Sequence, residues 1–225
     1  MKAELEAIDS IISIVGGAYF QPIADLVERL RAMPSPEDAN EIHATRRENG
    51  YAASVCLLSV VAFESFLARA RHLKRGKARG GLAVFEELYP TYPNHDEILE
   101  VFVMRDLLAH NHLWEIGFTW DADGPLHMMH ATHVSGGDSK HRQCVDAMTR
   151  RTKRLRVHTV PTRVDRRDAA LVLKTVWDAL EFMDADNRTV CPASPAYVHD
   201  GTGLIPFAEL VRRFCEDTNE GLPIA

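Results

Sequence analysis

Apolar residues recur along most of the chain at steps of three and four, the helical period. Residues 3–15 place Leu5, Ile8, Ile12 and Val15 on one helical face, and Gly16-Gly17 is a stop signal. "YFQPIADLVERLRAM" predicts a second short helix with Pro22 near its first turn. The longest helical pattern runs from about 37 to 74. Ala52, Cys56, Ser59, Phe63, Phe66 and Ala70 form its stripe, and the small residues in its first half leave room for a partner helix. A basic loop, "RHLKRGKARGG", and a short helix, "LAVFEELYP", follow. "PNHDEILEVFVMRDLLAHNHLWE" then predicts a helix, capped by Asn94 or Asp96 and amphipathic through Leu108.

Beyond that helix the period changes to two. "WEIGFTWDADGPLHMMHATHV" predicts two strands about the Asp123-Gly124 turn. "SGGDSKHRQ" predicts a loop, "CVDAMTRRTKR" a short helix, and "LRVHTVPTRV" a strand ended by Pro161. Helical spacing returns in "DRRDAALVLKTVWDALEFMDAD", with Asp165 or Asp168 near its start, and in "PFAELVRRFCEDT". Residues 187–205 form a Pro/Gly-containing connection. The fold class expected is mainly α: one helical domain over 1–225, a β-containing insertion at about 116–162, and a C-terminal helical extension over 187–225.

Composition narrows the function classes. A net charge of −6 over 225 residues argues against a molecule that binds polyanions with its whole surface. The charge is uneven, however. Between 140 and 168 there are ten Lys/Arg against three Asp, a net of +7, which leaves −13 for the rest. Arg150, Arg151, Lys153, Arg154 and Arg156 are the centre of this basic segment. They are candidate contacts for RNA backbone, with pairing to the protein's own acids as the competing reading. The four cysteines form no C-x-x-C pair, which fits a reducing compartment. No signal-peptide h-region and no apolar run of about 18–20 residues is seen, so a cytoplasmic protein without a membrane span is expected. His127 and His133 would share one face of a strand while His130 faces the other, and no third ligand is evident. No metal site and no cofactor is expected.

The candidate chemistry lies in "RDLLAHNH". Arg105 precedes His110 with four residues between and His112 with six. A five-residue helical step turns about 140°, and a seven-residue step returns to nearly the same face. Histidine titrates near neutrality and exchanges protons with a ribose hydroxyl or a leaving oxygen. Arginine stays charged and fits phosphate oxygens bidentately. Together they suit phosphodiester cleavage. Arg151 and His158 have the same spacing but lie across a predicted turn and strand, and carry less weight.

"RDLLAHN", following a long helix that reads "SVCLLSVVAFESFLARA", resembles the HEPN superfamily of all-helical domains. Many members carry R-x4-6-H with a polar residue directly after the arginine, and Arg105, Asp106 and His110 match those positions. Glu64, an acid within the long apolar helix, is a further similarity. The resemblance covers about residues 1–115 and the helix at 165–186. It implies a metal-independent endoribonuclease acting as a homodimer, with the helical faces around 52–70 and 100–112 expected to bury the dimer interface. Products would carry 2′,3′-cyclic phosphate ends, and many bacterial members are toxins or defence effectors restrained by an antitoxin-like partner. Arg105 would stabilise the scissile phosphate, His110 would be the acid/base, and Asp106 would orient them; His112 stays open as the alternative imidazole. The competing readings are a solvated ion pair for Arg105/Asp106, a half-buried structural imidazole for His110, and a non-catalytic module that binds RNA, a nucleotide or a protein.

Overall fold

A computed structural model describes residues 13–34, 45–110, 114–120, 126–134 and 139–219. The chain is mainly helical, with three small antiparallel strand pairs among the described residues. The helix expected over 3–15 falls largely outside them. Gly16 and Gly17 do not end a helix; with Ala18 and Tyr19 they form a 3-10 turn. Gly16 is needed there because a Cβ would lie 2.8 Å from the Ala62 carbonyl and the Phe66 ring. The turn leads into α1, Phe20–Arg31.

The central element is α2, Arg46–Leu73, capped by Thr45, whose hydroxyl accepts from Glu48 N at 3.3 Å. The Ala52–Ala70 stripe is buried. Its partner is the chain's own α6, Arg166–Asp186, rather than a second molecule. The two helices run parallel. The buried Glu48 near the start of α2 bonds Arg166 at 2.7 Å, and Lys74 just past its end bonds Asp186 at 2.6 Å. The shared small residues at Ala52, Cys56 and Ser59 allow this approach. Helix α3, Gly81–Leu88, and helix α4, His95–Ala109, also pack against α2. Helix α7, Phe207–Asn219, packs on α1 and α6. Phe20, Phe207 and Trp177 join these helices, with ring centroids 4.4 Å (Phe20–Phe207) and 5.1 Å (Trp177–Phe207) apart. The C-terminal helix therefore closes the bundle.

Between α4 and α6 lies the expected β-containing segment, with several differences in detail. Strands β1, Trp114–Trp120, and β2, Leu126–His133, pair antiparallel. The register slips opposite Gly117/Phe118 and leaves Met129 unpaired, so the strand does not keep strict alternation between Met128 and His130; the His127 side chain lies outside the described residues. His130 instead lies over Gly117, where a Cβ would come 2.0 Å from its ring. The loop expected at 135–143 contains a short helix, α5, Ser139–Cys144. The short helix expected at 144–154 is a tight hairpin of β3, Val145–Asp146, and β4, Arg151–Thr152. Asp146 explains the turn: Oδ1 accepts from Met148 N and Thr149 N at 2.9 and 3.2 Å. The strand expected at 155–164 is reduced to one bridge, Arg151 to His158, and a 3-10 turn at Pro161–Arg163. The connection after α6 holds a further hairpin, β5, Tyr197–His199, and β6, Leu204–Pro206.

Among the described residues, α2 is long and apolar enough by length and composition to cross a membrane. Half of its apolar 18-residue window is buried against the other helices, as in a core helix.

Candidate functional site

Helix α4 delivers the predicted triad at its C-terminal end. Asp96 and Glu97 in its first turn complement the helix dipole, and Ile98, Val101, Phe102, Met104 and Leu107 fix its buried face. The helix stops at Ala109, and His110 is its C-cap, with its N–H on the Asp106 carbonyl at 3.0 Å. Arg105, Asp106 and His110 are thus brought together. Asp106 Oδ1 lies 2.8 Å from Arg105 Nε and 3.8 Å from His110 Nε2. The Arg105 Nε–H is not aimed for a hydrogen bond, so that contact is electrostatic. His110 is the accessible member, with 68% of its side chain exposed against 27% for Arg105. His112 lies outside the described residues.

Glu64 of α2 completes the group. Its carboxylate receives Arg105 Nη1 at 3.2 and 3.3 Å, a fork across two helices. The guanidinium also stacks 5.5 Å above the Phe102 ring. Gly81 at the start of α3 sets how closely these pieces meet. A Cβ there would fall 2.5 Å from Phe102 Cζ and 3.1 Å from Glu64 Oε1. One arginine therefore faces two carboxylates, with an exposed imidazole at the edge. Chemically this is an oriented cation and a proton donor or acceptor reachable from solvent.

The basic segment lies elsewhere on α4. Glu100, 2% exposed, accepts Arg154 N and Leu155 N, each at 2.8 Å, and so holds the segment's backbone. Glu100 precedes Arg105 by five residues, so the two project about 140° apart around the helix. Each predicted RNA contact also has an intramolecular partner. Arg150 Nε donates to Ala131 O at 3.1 Å, and Lys153 Nζ to Gln143 O at 2.6 Å. Arg154 pairs with Asp96 at 3.3 Å and Arg156 with Asp146 at 3.7 Å. Arg150 and Arg156 hold φ of 54° and 61°, the left-handed region that non-glycine residues rarely adopt. Arg154 and Arg156 keep more than half of their side chains exposed, so they remain open to an anion.

The Arg–His spacing given less weight in the sequence is the one whose side chains touch. Arg151 Nη2 lies 2.7 Å from His158 Nε2, and its Nη1 donates to Arg156 O at 2.6 Å. His158 Nδ1 lies 2.9 Å from Asp168 Oδ2. The network assigns the proton to Nδ1, with Nε2 accepting from Arg151. Both ring nitrogens are occupied and the residue is 7% exposed, so this imidazole is a clasp between β4 and α6. His158, Asp165 and Asp168 also bring ligand atoms within 4.8 Å of one another. Three of the four carboxylate oxygens are already engaged. Asp168 accepts from His158 N at 3.1 Å and Asp165 N at 3.1 Å, and Asp165 from Arg167 N and Asp168 N. This is a helix-capping box with a histidine attached rather than a vacant metal centre. Burial, then the charge of Asp168, pushes the Asp165 carboxyl above its ordinary range.

The buried acids Glu100 and Asp168 were not singled out for these roles by the sequence reading. Glu100 could have been found: it shares a helical face with Val103, Met104 and Leu107, three, four and seven residues on, a face that is otherwise apolar there. No family model, curated protein or solved structure matches the chain.

Proposed function

We propose that the protein is a metal-independent endoribonuclease of HEPN type. The observation that carries the reading is the convergence of Arg105, Asp106 and His110 at the exposed end of α4, with Glu64 of α2 holding the arginine. His110 removes the proton from a ribose 2′-OH, and the 2′-oxygen attacks the adjacent phosphorus. The P–O5′ bond breaks, and the 5′-oxygen takes up a proton, leaving a 2′,3′-cyclic phosphate. Arg105 stabilises the charge that develops on the phosphoryl oxygens. Asp106, within reach of both, orients them. The arginine brings the charge that a metal ion would otherwise supply, so the proposed chemistry calls for none.

A homodimer belongs to this reading, and its place on the surface changes. The buried Ala52–Ala70 stripe is used within the protomer. A neighbouring stripe of α2, about 100° further round the helix, holds Ala53, Leu57, Val61 and Glu64 and is only partly buried, with Val61 37% exposed. Two copies meeting there would bring two Arg105 groups to one cleft. RNA is the proposed substrate, an antitoxin-like protein the proposed restraint, and the cytoplasm the proposed location.

A specific observation favours a second reading. Glu64 and Asp106 together neutralise Arg105 within the protomer. A non-catalytic module that binds RNA, a nucleotide or a protein through the basic segment needs no free Arg105.

The test is cleavage of a labelled structured RNA in EDTA by wild type, Arg105→Ala and His110→Ala, with end-group analysis. The expected result is cyclic phosphate ends from wild type and a loss of about 10²–10⁴-fold in each variant. Full activity in both variants overturns the mechanism. Cleavage by none of the three shifts the assignment to the binding module.

A further inference from the structure

Helix α6 ends in an arrangement that its own dipole opposes. The carbonyl end of a helix favours cations. Yet its last two turns carry Glu181, Asp184 and Asp186 and no Lys or Arg. Asp184 is also buried, with 4% of its side chain exposed, and its Oδ1 accepts no hydrogen bond. The exposed Arg188 pairs with it, its Nε standing 3.5 Å away. That ion pair is too long to be a hydrogen bond. Leaving a buried carboxylate oxygen without a donor is costly.

A cleft of about 560 Å³ opens at this point, lined by Glu181, Asp184, Asp186, Asn187, Arg188 and Ser194. Its walls are fixed. Asn187 Oδ1 accepts from Thr189 N and Val190 N at 3.0 and 3.3 Å, which turns the chain away from the helix. Arg69 of α2 donates to the Val190 and Thr189 carbonyls at 3.2 and 3.1 Å. Trp177 Nε1 donates to Glu181 Oε1 at 2.8 Å, and Lys74 holds Asp186 from outside. Three carboxylates and a helix C-terminus thus stand among Lys74, Arg188 and Arg69. The charge of Asp184 is also felt nearby: after burial, it is the main reason the Cys191 thiol is pushed up to about 12.

We propose that this cleft binds a small organic polycation of the diamine or polyamine class, one ammonium group donating to Asp184 Oδ1. A directly coordinated metal ion fits less well. Such an ion needs converging oxygens. Among the described residues, the group of three or more acids, histidines or cysteines with ligand atoms within 4.8 Å is the separate His158, Asp165, Asp168 cluster. Spaced carboxylates along an open cleft match spaced ammonium groups, each with three donors. Arg188 already shows that a cation is drawn to the mouth of the site.

The Trp177 indole N–H reports on the site through Glu181. Its ¹⁵N–¹H resonance, assigned with Trp177→Phe, is followed in the full chain during titration with putrescine and, separately, spermidine. NaCl at matched ionic strength and MgCl₂ serve as controls. The expected result is a saturable shift with the amines, weakened at least about tenfold in Asp184→Asn, where one charge-assisted hydrogen bond is lost. Arg188→Ala, an exposed substitution that removes the competing cation, should tighten binding. The proposal fails if wild type shows no saturable shift, if NaCl or Mg²⁺ reproduces it, or if both variants bind as wild type does.

Discussion

Arg105 of α4 and Glu64 of α2 form a forked ion pair, Nη1 to Oε1 at 3.2 Å and to Oε2 at 3.3 Å. The pair ties the two helices that carry the candidate site, and it sets how much positive charge Arg105 can offer a phosphate. Glu64→Gln removes the negative charge and keeps the shape. RNA binding is therefore expected to strengthen, and the slope of log K against log salt to steepen by about one phosphate contact. Filter binding across a salt series measures this. An unchanged slope would mean that Arg105 does not meet the backbone.

Gly81 is expected to be intolerant of even one methyl group. In Gly81→Ala the new Cβ would meet Phe102, whose ring lies under Arg105, and also Glu64. The ring has to move or α3 has to lift. Overpacking of this kind costs about 1–3 kcal/mol. Urea denaturation should show the loss, and cleavage activity should fall with it because the Arg105 platform shifts. Gly17, where a Cβ would meet nothing within 4 Å, is the matched control and should accept alanine with little change.

Glu100 holds the basic segment by its backbone, so its removal should separate order from charge. Glu100→Ala leaves the Arg154 and Leu155 N–H groups without their acceptor and is expected to cost about 1–3 kcal/mol. Trypsin should then cut within residues 150–156 faster than in wild type. For RNA binding the informative substitutions are Arg154→Glu and Arg156→Glu, both exposed. Arg151→Glu would confuse the two effects, because Arg151 also clasps His158 and the Arg156 carbonyl. If the exposed pair can be reversed with no change in RNA affinity, the segment is not the RNA contact.

The long helices were legible because their signals are local. A 3.6-residue period over 28 positions in α2 and 21 in α6 is hard to mistake, and Asp165 marks the start of α6 as expected. The parallel pairing of α2 with α6 was not legible. It depends on Glu48–Arg166 and Lys74–Asp186, each joining residues more than a hundred positions apart. The 139–164 segment was misread for a related reason. Its short hairpin and clasp are held by Glu100, Asp168 and Asp146 acting on backbone N–H groups, and no periodicity records such contacts. The same gap hid the meeting of Arg151 with His158. In the candidate site, Arg105, Asp106 and His110 were legible because a single helix end carries all three, and Glu64 was singled out as an acid inside an apolar run. The spatial meeting of Glu64 with Arg105 needed the fold.

The last expected outcome concerns acid. Asp200 sits in the turn of the C-terminal hairpin, where it accepts from the Thr202 hydroxyl and from the Thr202 and Gly203 N–H groups. These bonds, with Arg213 beyond them, hold its carboxyl down at about 2. Glu209 on α7 is held at about 2 by Arg212 and then Arg213. Arg213 reaches both acids, at 3.1 Å and 2.8 Å, and so joins hairpin to helix. Each folded value lies below the unfolded one of about 4, so the ionised form is the one the fold stabilises. That contribution is complete above about pH 4 and is lost as pH falls through about 2. Asp165, with its carboxyl raised, acts in the opposite sense: its contribution is present at low pH and shrinks as pH rises through its folded value. Glu87 and Asp146, lowered chiefly by backbone N–H groups, act with Asp200 and Glu209, while Glu97, raised by burial, acts with Asp165; four lowered acids against two raised ones predict a net loss of stability on acidification, with the largest lowering at the α7 end. Thermal midpoints between pH 7 and pH 2 should fall steeply below pH 4 in wild type. In Asp200→Asn the midpoint should be lower at pH 7 and the fall below pH 4 shallower. If the two profiles run parallel down to pH 2, the acid response comes from elsewhere in the fold.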